Sequence, residues 1–174
     1  MALYRFGERV PQVAPGAYVS DSARVIGDVA IGEECYIGHG VILRGDYGSI
    51  VVGQGTAIEE NAVVHIRPNG ISTIGKHVTI GHGAVLHGNI IADYAVIGMG
   101  AVVCFDVEIG EWCIVGEGCV VPNGQHIQPG KMVMGVPAEI VGEVQQKHKD
   151  FWVYGKQLYV DLAKRYPQEF EQIG

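Results

Sequence analysis

An aliphatic residue returns every six positions through most of this chain, and that spacing rules out most ways of folding it. The series runs through Val19, Val25, Ile31, Ile37 and Leu43, then, after a short insertion, Val52, Ile58 and Val64. A second insertion at Pro68, Asn69 and Gly70 resets the phase to Ile74, Ile80 and Leu86. One five-residue step leads on to Ile91, Ile97, Val103, Ile109, Val115 and Val121. A period of six fits neither an amphipathic helix nor an alternating strand. It fits very short strands joined by tight corners, where glycine takes conformations that cost other residues more. The aliphatics then stack from coil to coil as the core of a solenoid.

Beyond Pro137 the pattern changes. Ile140, Val144, Phe151, Leu158 and Leu162 recur at helical spacing among Lys, Glu and Gln. They predict an amphipathic helix, or two broken near Gly155, ending before Pro167. The chain therefore divides into a solenoid over residues 1–137 and a C-terminal helical segment over 138–174 that packs its apolar stripe on it.

Three strands to a coil turn the repeat into geometry. Let faces one, two and three carry Val52, Ile58 and Val64. If the insertions bulge outward and leave the face order intact, Ile74, Ile80 and Leu86 lie on the same three faces one coil later. His65 and His87 each follow the aliphatic of face three, so they stack at about 4.8 Å, the spacing of paired strands. His82 lies two positions after Ile80, on face two, where one prism cannot aim it at the stacked pair. Face two of one subunit meeting face three of the next about a three-fold axis would bring all three histidines together. Three neutral imidazoles with an open fourth position are the pattern of a catalytic zinc site.

The same stretches carry a family resemblance. LRGD (Leu43 to Asp46), VVH (Val63 to His65), IGHG (Ile80 to Gly83) and LHG (Leu86 to Gly88) resemble the γ-class carbonic anhydrases and their relatives. The repeat itself, from about Val10 to Ala138 and closing on GVPA (Gly135 to Ala138), resembles the hexapeptide-repeat proteins. The resemblance implies a left-handed parallel β-helix and a homotrimer. It further implies one divalent metal between subunits, Zn2+ foremost with Fe2+ or Co2+ as alternatives, bound by His65, His82 and His87. It also implies that Arg44 and Asp46 form an ion pair joining neighbouring subunits beside the site.

The match is incomplete ahead of the first histidine. Active anhydrases of the family carry Asn-Ile-Gln-Asp there, and this chain has Ala57, Ile58, Glu59 and Glu60. Glu59 falls on the face that supplies His82 and is placed to act as a general base. Ala57 in place of asparagine suggests an enlarged pocket. Tyr159 matches a tyrosine that relatives with a C-terminal helix bring near the metal. Cys104 takes the face-three slot one coil beyond His87 and reads as a small buried residue. Cys35, Cys113 and Cys119 occupy the small inward position, while His39, His77, His126 and His148 share no face with the cluster and belong on the surface.

The leading expectation is a carbonic anhydrase-like metalloenzyme in which metal-bound hydroxide converts carbon dioxide to bicarbonate. Alternatives on the same scaffold are an acyl-CoA thioesterase or other hydrolase or hydratase, a hexapeptide acyltransferase, and a catalytically silent, metal-stabilised assembly subunit. With 19 acidic against 12 basic residues and a formal charge of −7, the chain has no basic stripe for nucleic acid or an anionic membrane. No apolar run is long enough to span a bilayer. Four cysteines without a CxxC pair suggest reduced thiols in the cytoplasm.

Overall fold

The computed structural model describes residues 2–174. The backbone climbs in about seven coils as a parallel β-helix, and every aliphatic of the six-residue series points inward and is buried. Face one stacks Ile31, Val52, Ile74, Ile91 and Ile109 in register. Face two stacks Val19, Ile37, Ile58, Ile80, Ile97 and Val115. Face three stacks Val25, Leu43, Val64, Leu86, Val103 and Val121. Burying one such side chain stabilises by about 1.5–3 kcal/mol, so these three aliphatic columns are the main source of cohesion.

Both insertions leave the face order intact, because Val52, Ile58 and Val64 pair with Ile74, Ile80 and Leu86. The first is absorbed by one long strand, Ile42–Val52, which carries Leu43 on face three and Val52 on face one. The second closes as a turn in which Gly70 N–H donates to Arg67 O at 3.1 Å.

The C-terminal segment differs from its expected form in three respects. It begins as a strand, Ala138–Glu143, paired antiparallel with Lys131–Gly135, so Ile140 belongs to a sheet edge and not to a helix. One unbroken helix follows, Gln146–Glu169, passing through Gly155 and containing Pro167. Glycine costs a helix about 1 kcal/mol, too little to break one held by packing along its length. Proline near the last turn removes only a hydrogen bond that a fraying end can spare. The buried stripe is also not the expected one: Lys156, Val160 and Ala163 are buried, whereas Phe151 and Leu158 are exposed.

The helix lies on face two. Tyr159 and Tyr166 pack on Tyr36, and Tyr166 also packs on Tyr18, with ring centroids 4.7–5.5 Å apart. Lys164 pairs with Glu34 at 2.8 Å, and Lys156 reaches through to Thr79 Oγ1 at 3.0 Å and the Ala95 carbonyl at 3.2 Å. No helix among the described residues is long and apolar enough to cross a membrane.

Candidate metal centre

Two adjacent coils set the first two histidines. His65 and His87 end strands Val63–His65 and Val85–His87, which pair in register. Their rings stack with centroids 4.7 Å apart and planes 18° from parallel. His87 Nε2 lies 2.9 Å from His65 Nδ1. His65 Nε2 is buried without a hydrogen-bond partner; Asp46 Oδ1 is 3.3 Å away, within ion-pair reach but outside hydrogen-bond geometry. A buried ring nitrogen left unpaired is costly unless something else takes its lone pair or proton. Phe105 closes one side of His87 at a centroid distance of 3.9 Å. Burial, then the charges of His65, Arg44 and Arg67, lower the His87 pKa and favour the neutral ring that ligates metals.

Arg44 stands directly below His65 in the same column and pairs with Asp46 at 2.7 Å. Burial pushes the Asp46 carboxyl up, but the Arg44 hydrogen bond and charge and the nearby His65 outweigh it and hold the group below its usual range. The pair therefore forms within one chain here, beside the stacked histidines.

His82 sits at the corner leaving face two, in a turn that needs both neighbouring glycines. A Cβ on Gly81 would meet Met99 N of the next coil at 2.8 Å, and Gly83 has φ +68°. Two carboxylates brace the ring: Glu59 Oε2 lies 3.1 Å from Nε2 and Glu60 Oε2 lies 2.8 Å from Nδ1. Glu59 is buried and also accepts the His82 backbone N–H at 3.2 Å. Burial raises the Glu59 pKa, against the opposing pull of Tyr159 and His82. Tyr159 brings its hydroxyl to that carboxylate from the helix, and its own pKa is raised by burial and then by the Glu59 charge.

The three histidines do not converge within one chain, and no group of three metal-ligating side chains forms among the described residues. His65 and His87 share face three, while His82 lies beyond face two. The residues nevertheless suit a divalent transition metal: two stacked imidazoles with an unpaired buried nitrogen, and a third imidazole outward at a corner, braced by acids.

Two expectations require correction. Ala57 opens no pocket, because it is buried in a cluster with Tyr36 and Ala163 beneath the helix rings of Tyr159 and Tyr166. His39 is not unrelated to the site. Its carbonyl accepts Asn61 N–H just as the Glu60 carbonyl accepts Gly83 N–H, so His39, Glu60 and His82 climb the same corner. His39 is half-buried against Tyr166 and Phe170, with Nδ1 2.8 Å from Ser20 Oγ. Cys104 is half-buried and, with Val63, Val85, Val102 and Phe105, lines a cleft of about 440 Å3 beside the stacked histidines.

Sequence reasoning missed Lys156 and the use of Glu60. Lys156 is buried near Glu59, and burial draws its ammonium pKa down to about 7 while the Glu59 carboxylate pulls it up. A lysine between polar residues in a helical pattern carries no sign that the helix lands on it. Glu60 does sit beside Glu59, and the coil register places it one coil below His82.

No protein-family model matches the chain. It is 37% identical over 83% of its length to a carbonic anhydrase of Geobacillus kaustophilus, covering 79% of that protein. It is 36% identical over 95% of its length to the carnitine operon protein CaiE of Escherichia coli, covering 84% of that protein. With gamma carbonic anhydrase 2, mitochondrial, of Arabidopsis thaliana it shares 35% identity over 95% of its length, yet spans only 63% of the plant protein. Among solved structures, a hexapeptide transferase family protein from Anaplasma phagocytophilum superposes with a TM-score of 0.91 at 33% identity, covering 95% of this chain and 98% of that one. The Bacillus cereus BC4754 gene product superposes with a TM-score of 0.93 at 29% identity, covering 95% and 96%.

Proposed function

We propose, for a chain that belongs to the γ carbonic anhydrase-like family of hexapeptide-repeat proteins, a metal-dependent hydration of carbon dioxide to bicarbonate at the interfaces of a homotrimer. The observation that carries this reading is the in-register stack of His65 and His87 with its unpaired buried Nε2. His65 and His87 of one subunit, with His82 of its neighbour, would hold the ion. A divalent metal on three imidazoles supplies Lewis acidity and brings the pKa of a bound water toward about 7. Zn2+ suits this donor set best, with Fe2+ or Co2+ as alternatives.

The chain's own residues supply the rest. Glu59 would accept the proton released as water adds to carbon dioxide, and the Tyr159 hydroxyl would orient the carboxylate. Val85, Val102 and Phe105 give the cleft an apolar wall that holds an uncharged gas and keeps bulk water out. The trimer is supported by the outward column of face three. Ile42, Val63, Val85, Val102 and Val120 follow one another there, where an isolated solenoid would place polar side chains. Four free thiols suit a reducing, cytoplasmic setting.

A second reading keeps the site and changes the electrophile. The cleft beside the stacked histidines, about 440 Å3 in the isolated chain before a neighbouring subunit narrows it, is where a thioester of an acyl-CoA would enter. Stopped-flow carbon dioxide hydration, with the protein purified without oxygen and loaded separately with zinc and iron, decides between them. Hydration lost in His87→Ala supports the anhydrase. No hydration from a fully metallated trimer overturns it and directs the assay to thioesters.

A further inference from the structure

We infer that Glu60 is a positioning residue for His82, fixing the orientation and tautomer of that ring through its Nδ1 nitrogen. The inference rests on His82 serving as a metal ligand. Glu60 Oε2 lies 2.8 Å from His82 Nδ1. Its other oxygen, Oε1, accepts the Tyr36 hydroxyl at 2.8 Å. Tyr36 is itself immobilised: it is buried in the face-two column between Tyr18 and Ala57, with the Tyr159 and Tyr166 rings of the helix packed over it.

This chain of contacts runs from the helix to the exposed histidine. His82 has 46% of its side chain exposed and stands at a corner, so nothing in its own coil holds χ1 and χ2. A carboxylate can only accept, so the Glu60 oxygen 2.8 Å away favours a proton on Nδ1. That leaves Nε2 as the nitrogen for a metal to take, in place of its present 3.1 Å contact with the Glu59 carboxylate. Carboxylates acting on a ligand's second nitrogen orient the ring and raise its basicity, and their loss costs metal affinity about 10–100-fold. Glu59 and Glu60 are adjacent in the chain but divide the ring between them, one on each nitrogen.

Cobalt(II) binding to the oligomer tests this without any turnover assay. Glu60→Ala is expected to weaken Co2+ about 10–100-fold, whereas Glu60→Gln, which keeps an acceptor oxygen, retains most of the affinity. Tyr36→Phe, which removes only the hydroxyl holding Glu60, should fall between them and serves if Glu60→Ala does not fold. Glu60→Ala leaves the Glu59 carboxylate as the ring's one acidic neighbour, so nitrogen-15 spectra of the metal-free protein should show Nδ1 of His82 protonated in the wild type and unprotonated in Glu60→Ala. Wild-type affinity and tautomer in Glu60→Ala, with binding lost in His82→Ala, overturn the role of Glu60 alone. A wild-type protein that takes up no Co2+ overturns the metal reading, and this inference with it.

Discussion

His87 Nε2 lies 2.9 Å from His65 Nδ1 although the two residues are 22 apart in the chain. One full coil plus the outward loop at 67–70 separates them, and the pairing of Val64 with Leu86 closes that distance. Replacing either ring therefore removes half of a preformed donor pair and leaves its fold intact, because both side chains point outward from the core. His65→Ala and His87→Ala should each lose at least about 100-fold in zinc affinity, beyond the range typical of outer partners. Chelator competition at constant oligomer concentration measures it. Unchanged affinity in either variant would remove the pair from the site.

The outward valines of face three make a prediction about assembly. Val85 is 42% exposed in the isolated chain, so an aspartate there costs the core nothing. In a trimer the same carboxylate would be buried against an apolar partner and destabilise the contact by several kcal/mol. Light scattering should find a folded monomer for Val85→Asp and a trimer for the wild type. A trimer in both would place the interface elsewhere.

Lys156 gives stability a pH dependence. Its pKa is about 7 in the folded protein, below the ordinary lysine value. Between those two values the unfolded chain holds a proton that the folded chain has given up, so stability from this group rises as pH rises. Below about pH 7 both states hold the proton and the burial penalty is complete. Lys156→Met should lack this rise, which amounts to at most about 1.4 kcal/mol per pH unit within the window. Urea midpoints at pH 6.5 and 9.5 compare the two proteins. Parallel shifts would show that Lys156 stays charged throughout.

Gly155 offers a stabilising change. It lies mid-helix, and a Cβ there would meet its nearest neighbour, Trp152 Cε3, at 3.8 Å, an ordinary contact. Gly155→Ala should raise stability by about 0.5–1 kcal/mol through the unfolded chain's lost freedom. A rise in melting temperature with unchanged metal affinity is expected. A fall would show that the helix needs to bend at that point.

What was legible in the sequence followed from periodicity. An aliphatic every sixth residue has one way to be buried, so the faces, the register of Val64 on Leu86 and the stacking of His65 on His87 could be counted off the chain. Where periodicity stops, local pattern no longer fixes the fold. Ile140 sits in an antiparallel strand because the last coil needed an edge partner, which no local pattern reports. Lys156 and Ala57 take their surroundings from where the helix lands on face two, through contacts between residues far apart in the chain. The role of Glu60 depends on a side chain reaching to the coil above, and it was hidden behind the more conspicuous Glu59.

Coil-to-coil registration also limits how this chain can change length. Adding or deleting residues in the loop at 67–70 leaves every later side chain on its face, because that loop stands outside the count. Adding a single strand-and-corner unit between Val64 and Leu86 would instead advance the remainder of the chain by a third of a revolution, carrying His87 round to a different wall. Insertion of a complete revolution would keep the wall but lift His87 one storey, out of reach of His65. The number of coils between the two histidines, unlike the number of residues, thus behaves as an integer that cannot drift, and descendants of this protein can vary this loop while inheriting that integer unchanged.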